Sequence, residues 1–250
     1  MSVFEGTIRS NALEMMTSLT VSIPQGLDGD IPVLYLLHGL SDNHSAWLRR
    51  TNVDRYAEHA GIAVVMPEVQ RSFYTDMEYG LNYFTYIAKE LPLICRNMFR
   101  FSNKREGNFI AGLSMGGYGA IKAALTYPEN YVAAASFSGA VDVKSRFNVT
   151  KDLMRIKECH AINNGVIKPQ DDLFSLAGKL AGAGTNVPDL YITCGLSDFL
   201  YEDNKRFCAH LDSLCIPHCY EEWEGAHEWG FWDESIRRAI DRFRRNTVSC

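Results

Sequence analysis

Residues Asn108 to Leu125 read NFIAGLSMGGYGAIKAAL, an apolar run that stops at a serine and continues into glycines. Within it, Gly112-Leu113-Ser114-Met115-Gly116 fits the GxSxG pattern, in which the serine is a nucleophile on a sharp strand-to-helix turn. Such a turn forces the serine into a strained backbone conformation and holds its hydroxyl out of the sheet edge. Gly112 and Gly116 clear the space, because a Cβ at either would collide with the neighbouring strand or helix. Two other readings compete. Ser114 could simply cap a helix N-terminus. A phosphate-binding loop is the second rival, but Tyr118 stands where its lysine would be. A serine hydroxyl is a weak nucleophile until a base takes its proton, so a base and an orienting acid are required elsewhere.

The elements around the serine are legible from periodicity. SLTVSIP alternates at period two, and residues 5–23 hold two β-like stretches. VLYLLHG, IAVVMP, NFIAGLS, VAAASFSG, DLYITCG and HCYEEWEG are short strand-like runs, several continuously apolar as in strands buried on both faces. Helical patterns lie between them: VDRYAEHAG, closed by Gly61, then LNYFTYIAKELPLICRNMF, bent at Pro92. MGGYGAIKAALTYP, LYEDNKRFCAHLDSLC and WDESIRRAIDRFRR follow. This alternation predicts an α/β fold, a mostly parallel central sheet with helices on both faces and antiparallel strands at one edge. The 250 residues suit one domain, 1–250. Residues 140–187 are polar and irregular with room for short helices, and are expected to form a cap-like insertion above the sheet.

In the α/β-hydrolase arrangement the acid and then the histidine follow the serine. His160, His210, His218 and His227 all follow Ser114. His160 falls in the insertion, His210 in a helix and His218 at a strand start. Only His227, in WEGAHEWGFW, lies on a loop between the last strand and the last helix, at the edge where Ser114 is displayed. It could instead cap that helix. Asp198 ends the turn after DLYITCG at the same edge and is the expected acid, with an N-cap role as the rival. Asp203 is its competitor, one turn into the next helix, and Asp189 is at the wrong end of its strand. The backbone N–H groups of Met115 and Leu40 are the expected oxyanion donors. His38 reads as structural. Asp42, Asn43, His44 and Trp47 are either pocket-lining or ordinary loop residues.

Composition narrows the alternatives. The net charge of −5 gives no nucleic-acid footprint. The one basic cluster, RRAIDRFRRN, reads as arginines complementing a helix C-terminus. No targeting segment and no membrane-spanning run is present. Seven cysteines, an odd number without CxxC, read as reduced thiols of a cytoplasmic protein. A zinc site from Cys208, Cys215 and Cys219 would have a spacing that fits no known pattern.

The blocks LLHGLSDNHSAW, NVDRYAEHAGIAVVMPEV, GLSMGGYGAIKAAL, ASFSGA, CGLSDFLYEDN and GAHEWGFW together resemble the esterase D-type esterases, most closely the tributyrin esterases of Firmicutes. That family includes S-formylglutathione hydrolases, feruloyl and acetylxylan esterases, and mycolyl transferases. The resemblance implies an α/β-hydrolase fold and a serine carboxylesterase without cofactor or metal, acting on short acyl esters, acetyl to butyryl. Its nucleophile, acid and base fall on Ser114, Asp198 and His227, and its oxyanion donors on Leu40 and Met115. The partner implied is a small-molecule ester; relatives often self-associate into homo-oligomers. The elbow GLSMGG and the histidine block AHEWGF depart from the GHSMGG and DHSYYF-like blocks of the formylglutathione branch. The alternatives are an S-formylglutathione hydrolase or feruloyl esterase, an acyltransferase using the same triad, and a non-catalytic binding module on a hydrolase fold.

Overall fold

A computed structural model describes residues 1–149, 152–184 and 186–248. Eight strands form one sheet: β1 Ser2–Ser10, β2 Met15–Ile23, β3 Val33–Leu37, β4 Ala63–Pro67, β5 Asn108–Leu113, β6 Ala133–Phe137, β7 Asp189–Gly195 and β8 His218–Trp223. Their spatial order is β1-β2-β4-β3-β5-β6-β7-β8. The contacts β1·β2 and β2·β4 are antiparallel and all others parallel, as the alternation of strands and helices predicts. Every residue of β3, β4, β5 and β6 is buried, which is why these strands read as unbroken apolar runs rather than alternating ones.

The period of two splits each central strand between two cores. Val33, Tyr35 and Leu37 face one cluster; Leu34 and Leu36 face the other. The helices are α1 Ala46–Arg50, α2 Val53–Ala60, α3 Tyr83–Thr85, α4 Leu91–Met98, α5 Met115–Thr126, α6 Val143–Val149, α7 Leu153–Asn163, α8 Leu173–Ala183, α9 Tyr201–Ser213 and α10 Trp229–Val248. α4, α5, α8 and α9 cover the first face, and α2 and α10 cover the second. The bend expected at Pro92 is a π-helical turn, Tyr86–Glu90, that joins α3 to α4 and places the proline in the first turn of α4. The helix runs on through this widened turn, which lies where a proline ring and its missing N–H break the regular ladder.

Residues 140–187 divide in two. α8 starts at an Asp172 cap and buries Leu173, Leu176, Ala177 and Leu180 in the core beside α5. It is a sheet-covering crossover helix, longer and more regular than the polar spacing of this stretch suggests. α6 and α7 instead rise over the carboxyl edge of the parallel strands. The segment just before α8 is anchored by Lys122, a fully buried lysine on α5. Its Nζ donates to Asp171 Oδ1 at 2.6 Å, Thr75 Oγ1 at 3.0 Å and the Tyr74 carbonyl at 3.1 Å.

Two arginines from the middle of α10 reach the sheet and not the helix C-terminus. Arg242 makes a bidentate pair with Asp189 at 2.6 and 2.7 Å, at the start of β7, and Arg238 reaches Glu221 on β8 at 3.0 Å. The helix lies flat across the sheet, so long side chains from its middle reach strand residues before they reach its own last carbonyls. Among the described residues no helix is long and apolar enough to cross a membrane. The described cysteines are free thiols, and no group of three metal-binding side chains occurs among the described residues.

Candidate active site

The parallel register brings five strand ends to one edge. Leu37 pairs with Gly112, Leu113 with Phe137, Phe137 with Thr193, and Gly195 with Trp223. Whatever follows these residues in the chain must therefore emerge together, and Ser114, Asp198 and His227 all do.

Ser114 sits between β5 and α5 with φ 53° and ψ −115°. A non-glycine residue rarely adopts this conformation, which costs about 1–3 kcal/mol and persists only where the surroundings over-determine it. Here they do. The Ser114 N–H donates to the Phe137 carbonyl at 2.9 Å, and its own carbonyl accepts from Tyr118 N at 3.1 Å and Ala140 N at 3.0 Å. A Cβ on Gly112 would come within 2.5 Å of the Gly116 backbone, and one on Gly116 would strike the Leu37 and His38 carbonyls. The serine hydroxyl does not cap α5, so the simple N-cap reading fails.

Asp198 and His227 are joined. His227 Nδ1 lies 2.9 Å from Asp198 Oδ2, and Asp198 Oδ1 accepts the Leu200 N–H at 2.8 Å. The carboxylate only accepts, so the imidazole proton sits on Nδ1 and Nε2 presents its lone pair. The Asp198 side chain has no exposed surface. Burial pushes its pKa up, but the bonds from His227 and Leu200 outweigh burial and hold the carboxyl below its ordinary value. Two aromatic rings fix the imidazole: Phe199 at 4.6 Å and Trp232, edge-on, at 4.9 Å between centroids. Ser114 makes only backbone hydrogen bonds to described residues; no bond joins its hydroxyl to His227. Such contacts are often long before substrate binds.

The competitors are occupied elsewhere. Asp203 pairs with Arg146 and Arg206, and Asp189 with Arg242. His210 Nε2 meets the Phe174 carbonyl, His218 starts β8, and His160 lies on α7. Trp47 is buried in the core, where its indole donates to the Leu37 carbonyl at 3.1 Å and packs against Trp229.

His38 is structural, as its place at a strand end before the serine suggests. Its Nε2 accepts the Val69 N–H at 3.1 Å, which leaves the proton on Nδ1 for the Gly39 carbonyl at 2.7 Å. The Asp42 N–H binds the same carbonyl at 3.2 Å. No peptide bond here is cis. In a trans peptide the N–H points opposite to the C=O, so fixing the Gly39 carbonyl also fixes the direction of the Leu40 N–H. The signal for this was the HG pair at a strand end; what could not be read was which carbonyl the ring would hold.

Ser114 and Met115 open into a cavity of about 310 Å³ together with Leu40, Phe73, Val143 and Phe199. Neither Asp42, Asn43 nor His44 lines it. Its walls are mainly apolar, and it is at the small end of the ~300–1,000 Å³ typical of ligand sites.

An eight-stranded, mostly parallel sheet with its serine on a strained strand-to-helix turn is an α/β-hydrolase fold, and the chain is a serine hydrolase of the esterase class. It belongs to the Esterase family, described as "Putative esterase", whose model matches residues 10–243. It is 32% identical to the acetyl esterase of Caldicellulosiruptor saccharolyticus over 220 residues, 85% of this chain and 83% of that one. Among solved structures it is similar to a fluorophosphonate-binding serine hydrolase of Staphylococcus aureus, FphF, with a TM-score of 0.90, 32% identity, and coverage of 97% of this chain and 98% of that one. An S-formylglutathione hydrolase of Staphylococcus aureus gives a TM-score of 0.88, 33% identity and the same coverage, 97% and 98%. These relatives do not single out tributyrin esterases, and they set the formylglutathione branch as near to this chain as the acetyl esterase.

Proposed function

We propose that the protein hydrolyses short-chain acyl esters and thioesters through Ser114, His227 and Asp198. The observation that carries this reading is the Asp198–His227 pair, 2.9 Å apart with its carboxylate buried, beside a small cavity into which the strained Ser114 opens. His227 Nε2 takes the proton of Ser114 Oγ as the oxygen attacks the carbonyl carbon. Asp198 holds the ring and stabilises its cation. The N–H groups of Leu40 and Met115 receive the oxyanion. The C–O or C–S bond breaks, and His227 gives its proton to the leaving alcohol or thiol. Water, deprotonated by His227, then attacks the acyl-enzyme, and the carboxylic acid leaves as Ser114 regains its proton. The cavity volume favours acyl groups from formyl to butyryl over long chains.

The S-formylglutathione reading stands beside the acetyl ester reading because of the 33% identity to a solved hydrolase of that name. One experiment addresses both. The wild type and Ser114→Ala are assayed on p-nitrophenyl acetate, p-nitrophenyl butyrate, tributyrin, a feruloyl ester and S-formylglutathione. Ser114→Ala is expected to fold, lose turnover of every substrate and lose fluorophosphonate labelling. Near-normal turnover by that variant would discard the mechanism. The wild-type ranking of kcat/KM decides between oxygen esters and the thioester.

A further inference from the structure

Two guanidinium groups line an otherwise apolar cavity, Arg146 from α6 and Arg155 from α7. A pocket meant only for an uncharged short ester has no use for either. Both are partly exposed, 40% and 39% of the side chain, so they meet solvent and ligand at once. Arg146 is aimed by two bonds at 2.5 Å, its Nε to Asp203 and its Nη2 to the Phe199 carbonyl, beside the ring that packs on His227. Its Nη1 makes no hydrogen bond among the described residues. Arg155 makes a single hydrogen bond among the described residues, Nη1 to Glu158 Oε2 at 3.3 Å, leaving the rest of its fork open. Glu158 is shared: Arg71 binds its other oxygen at 2.5 Å and also reaches the Leu40 carbonyl at 3.4 Å. Arg71 and Arg155 thus share one carboxylate, and Arg146 shares Asp203 with Arg206, which also binds Asp142, so four guanidiniums meet three carboxylates beside the cavity.

We infer that Arg146 and Arg155 form a carboxylate subsite, so the substrate is an ester or thioester whose leaving alcohol or thiol carries a carboxylate. This rests on Ser114 acting as proposed above. The planar fork of arginine suits a carboxylate, and a partly desolvated cavity strengthens the bond over one in water. The transferred acyl group occupies the small apolar part of the cavity, and the anionic remainder of the substrate lies against α6 and α7.

The test uses matched pairs. 4-Acetoxybenzoate and its methyl ester share an acetyl group and differ in charge on the leaving side; monophenyl succinate and phenyl butyrate differ in charge on the acyl side. In Arg155→Gln the ratio of kcat/KM for 4-acetoxybenzoate over its methyl ester is expected to fall about tenfold, the size of one charge-assisted hydrogen bond near solvent. Arg146→Gln is expected to do the same. If loss of its bond to Asp203 prevents folding, Arg155→Gln decides alone, since it gives up one surface contact. Adding 0.5 M NaCl, roughly a Debye length of 4 Å, should shrink the wild-type ratio. An unchanged ratio in the variants overturns the subsite. So does an arginine dependence confined to the acyl-side pair, or a uniform loss on all four esters. If the wild type hydrolyses none of them, it is the esterase reading that falls.

Discussion

The two walls of the cavity are built on opposite principles. The wall carrying Ser114 is fixed by backbone: strand register, a strained turn and glycines too close to their neighbours to be anything else. The wall from α6 and α7 is held by side chains at the surface, arginines shared among Asp203 and Glu158. The carboxylates are largely buried but the arginine ends are open to solvent, which screens these pairs and lowers their worth. One wall therefore tolerates almost no change in geometry, and the other can change residues cheaply. A fold that keeps its chemistry while varying its substrate needs this division.

Breaking the fixed wall should give the largest effects. Ser114→Ala is expected to lower kcat by about 10⁵–10⁶-fold with the fold intact, as in other enzymes whose nucleophile is removed. Circular dichroism and the release of p-nitrophenol measure the two halves of that statement. Asp198→Asn comes next. It leaves the shape but turns a pure acceptor into a group that can donate to Nδ1, and so favours the wrong imidazole tautomer. A fall of about 10⁴-fold in kcat is expected, again without loss of secondary structure. A loss under tenfold would mean that another group orients His227.

A stability experiment sharpens the contrast below the elbow. Lys122 is buried, and its ammonium is matched by Asp171 at 2.6 Å. Burial pushes its pKa down and Asp171 only partly restores it. Lys122→Ala strands a buried carboxylate and is expected to cost about 3–5 kcal/mol, read by urea denaturation. Replacing both partners with apolar residues of similar volume should recover much of that. If Lys122→Ala costs under about 1 kcal/mol, the pair is not what fastens α5 to the segment before α8.

Much of this arrangement is written locally. Ser114 shows itself through glycine spacing and the switch from a continuous apolar run to helical spacing. Asp198 and His227 show themselves by lying just past strand ends. The parts that were not legible depend on contacts far apart in sequence. Nothing near Lys122 reveals that Asp171, 49 residues on, would neutralise it. Nothing in RRAIDRFRRN says that Arg242 would meet Asp189, 53 residues away, instead of its own helix end. The polar look of residues 140–187 concealed α8, because a helix covering a sheet needs only one apolar stripe, and LAGKLAGA supplies it with small residues.

The smallest effect expected is at the surface of α10, where the sharing of a carboxylate by two arginines recurs outside the cavity. Glu234 binds Arg237 at 2.6 Å and Arg238 at 2.7 Å. The hydrogen bond from Arg237 leads in holding its pKa down, from the ordinary 4.5 to about 2. A carboxyl whose folded pKa is depressed binds protons more readily when unfolded, so stability rises with pH across this range. The contribution is complete above about pH 4.5 and is lost as pH falls towards 2. A third of the Glu234 side chain (33%) is exposed and its arginine partners are more open still, so solvent screening limits its worth to about 1 kcal/mol or less. Glu234→Gln should therefore lower stability by that amount at pH 7, flatten the acid limb of the stability curve, and lose its difference from wild type in 1 M salt, where the Debye length is about 3 Å. A loss above about 2 kcal/mol would place this pair with Lys122 and Asp171 rather than with the arginines of the cavity wall.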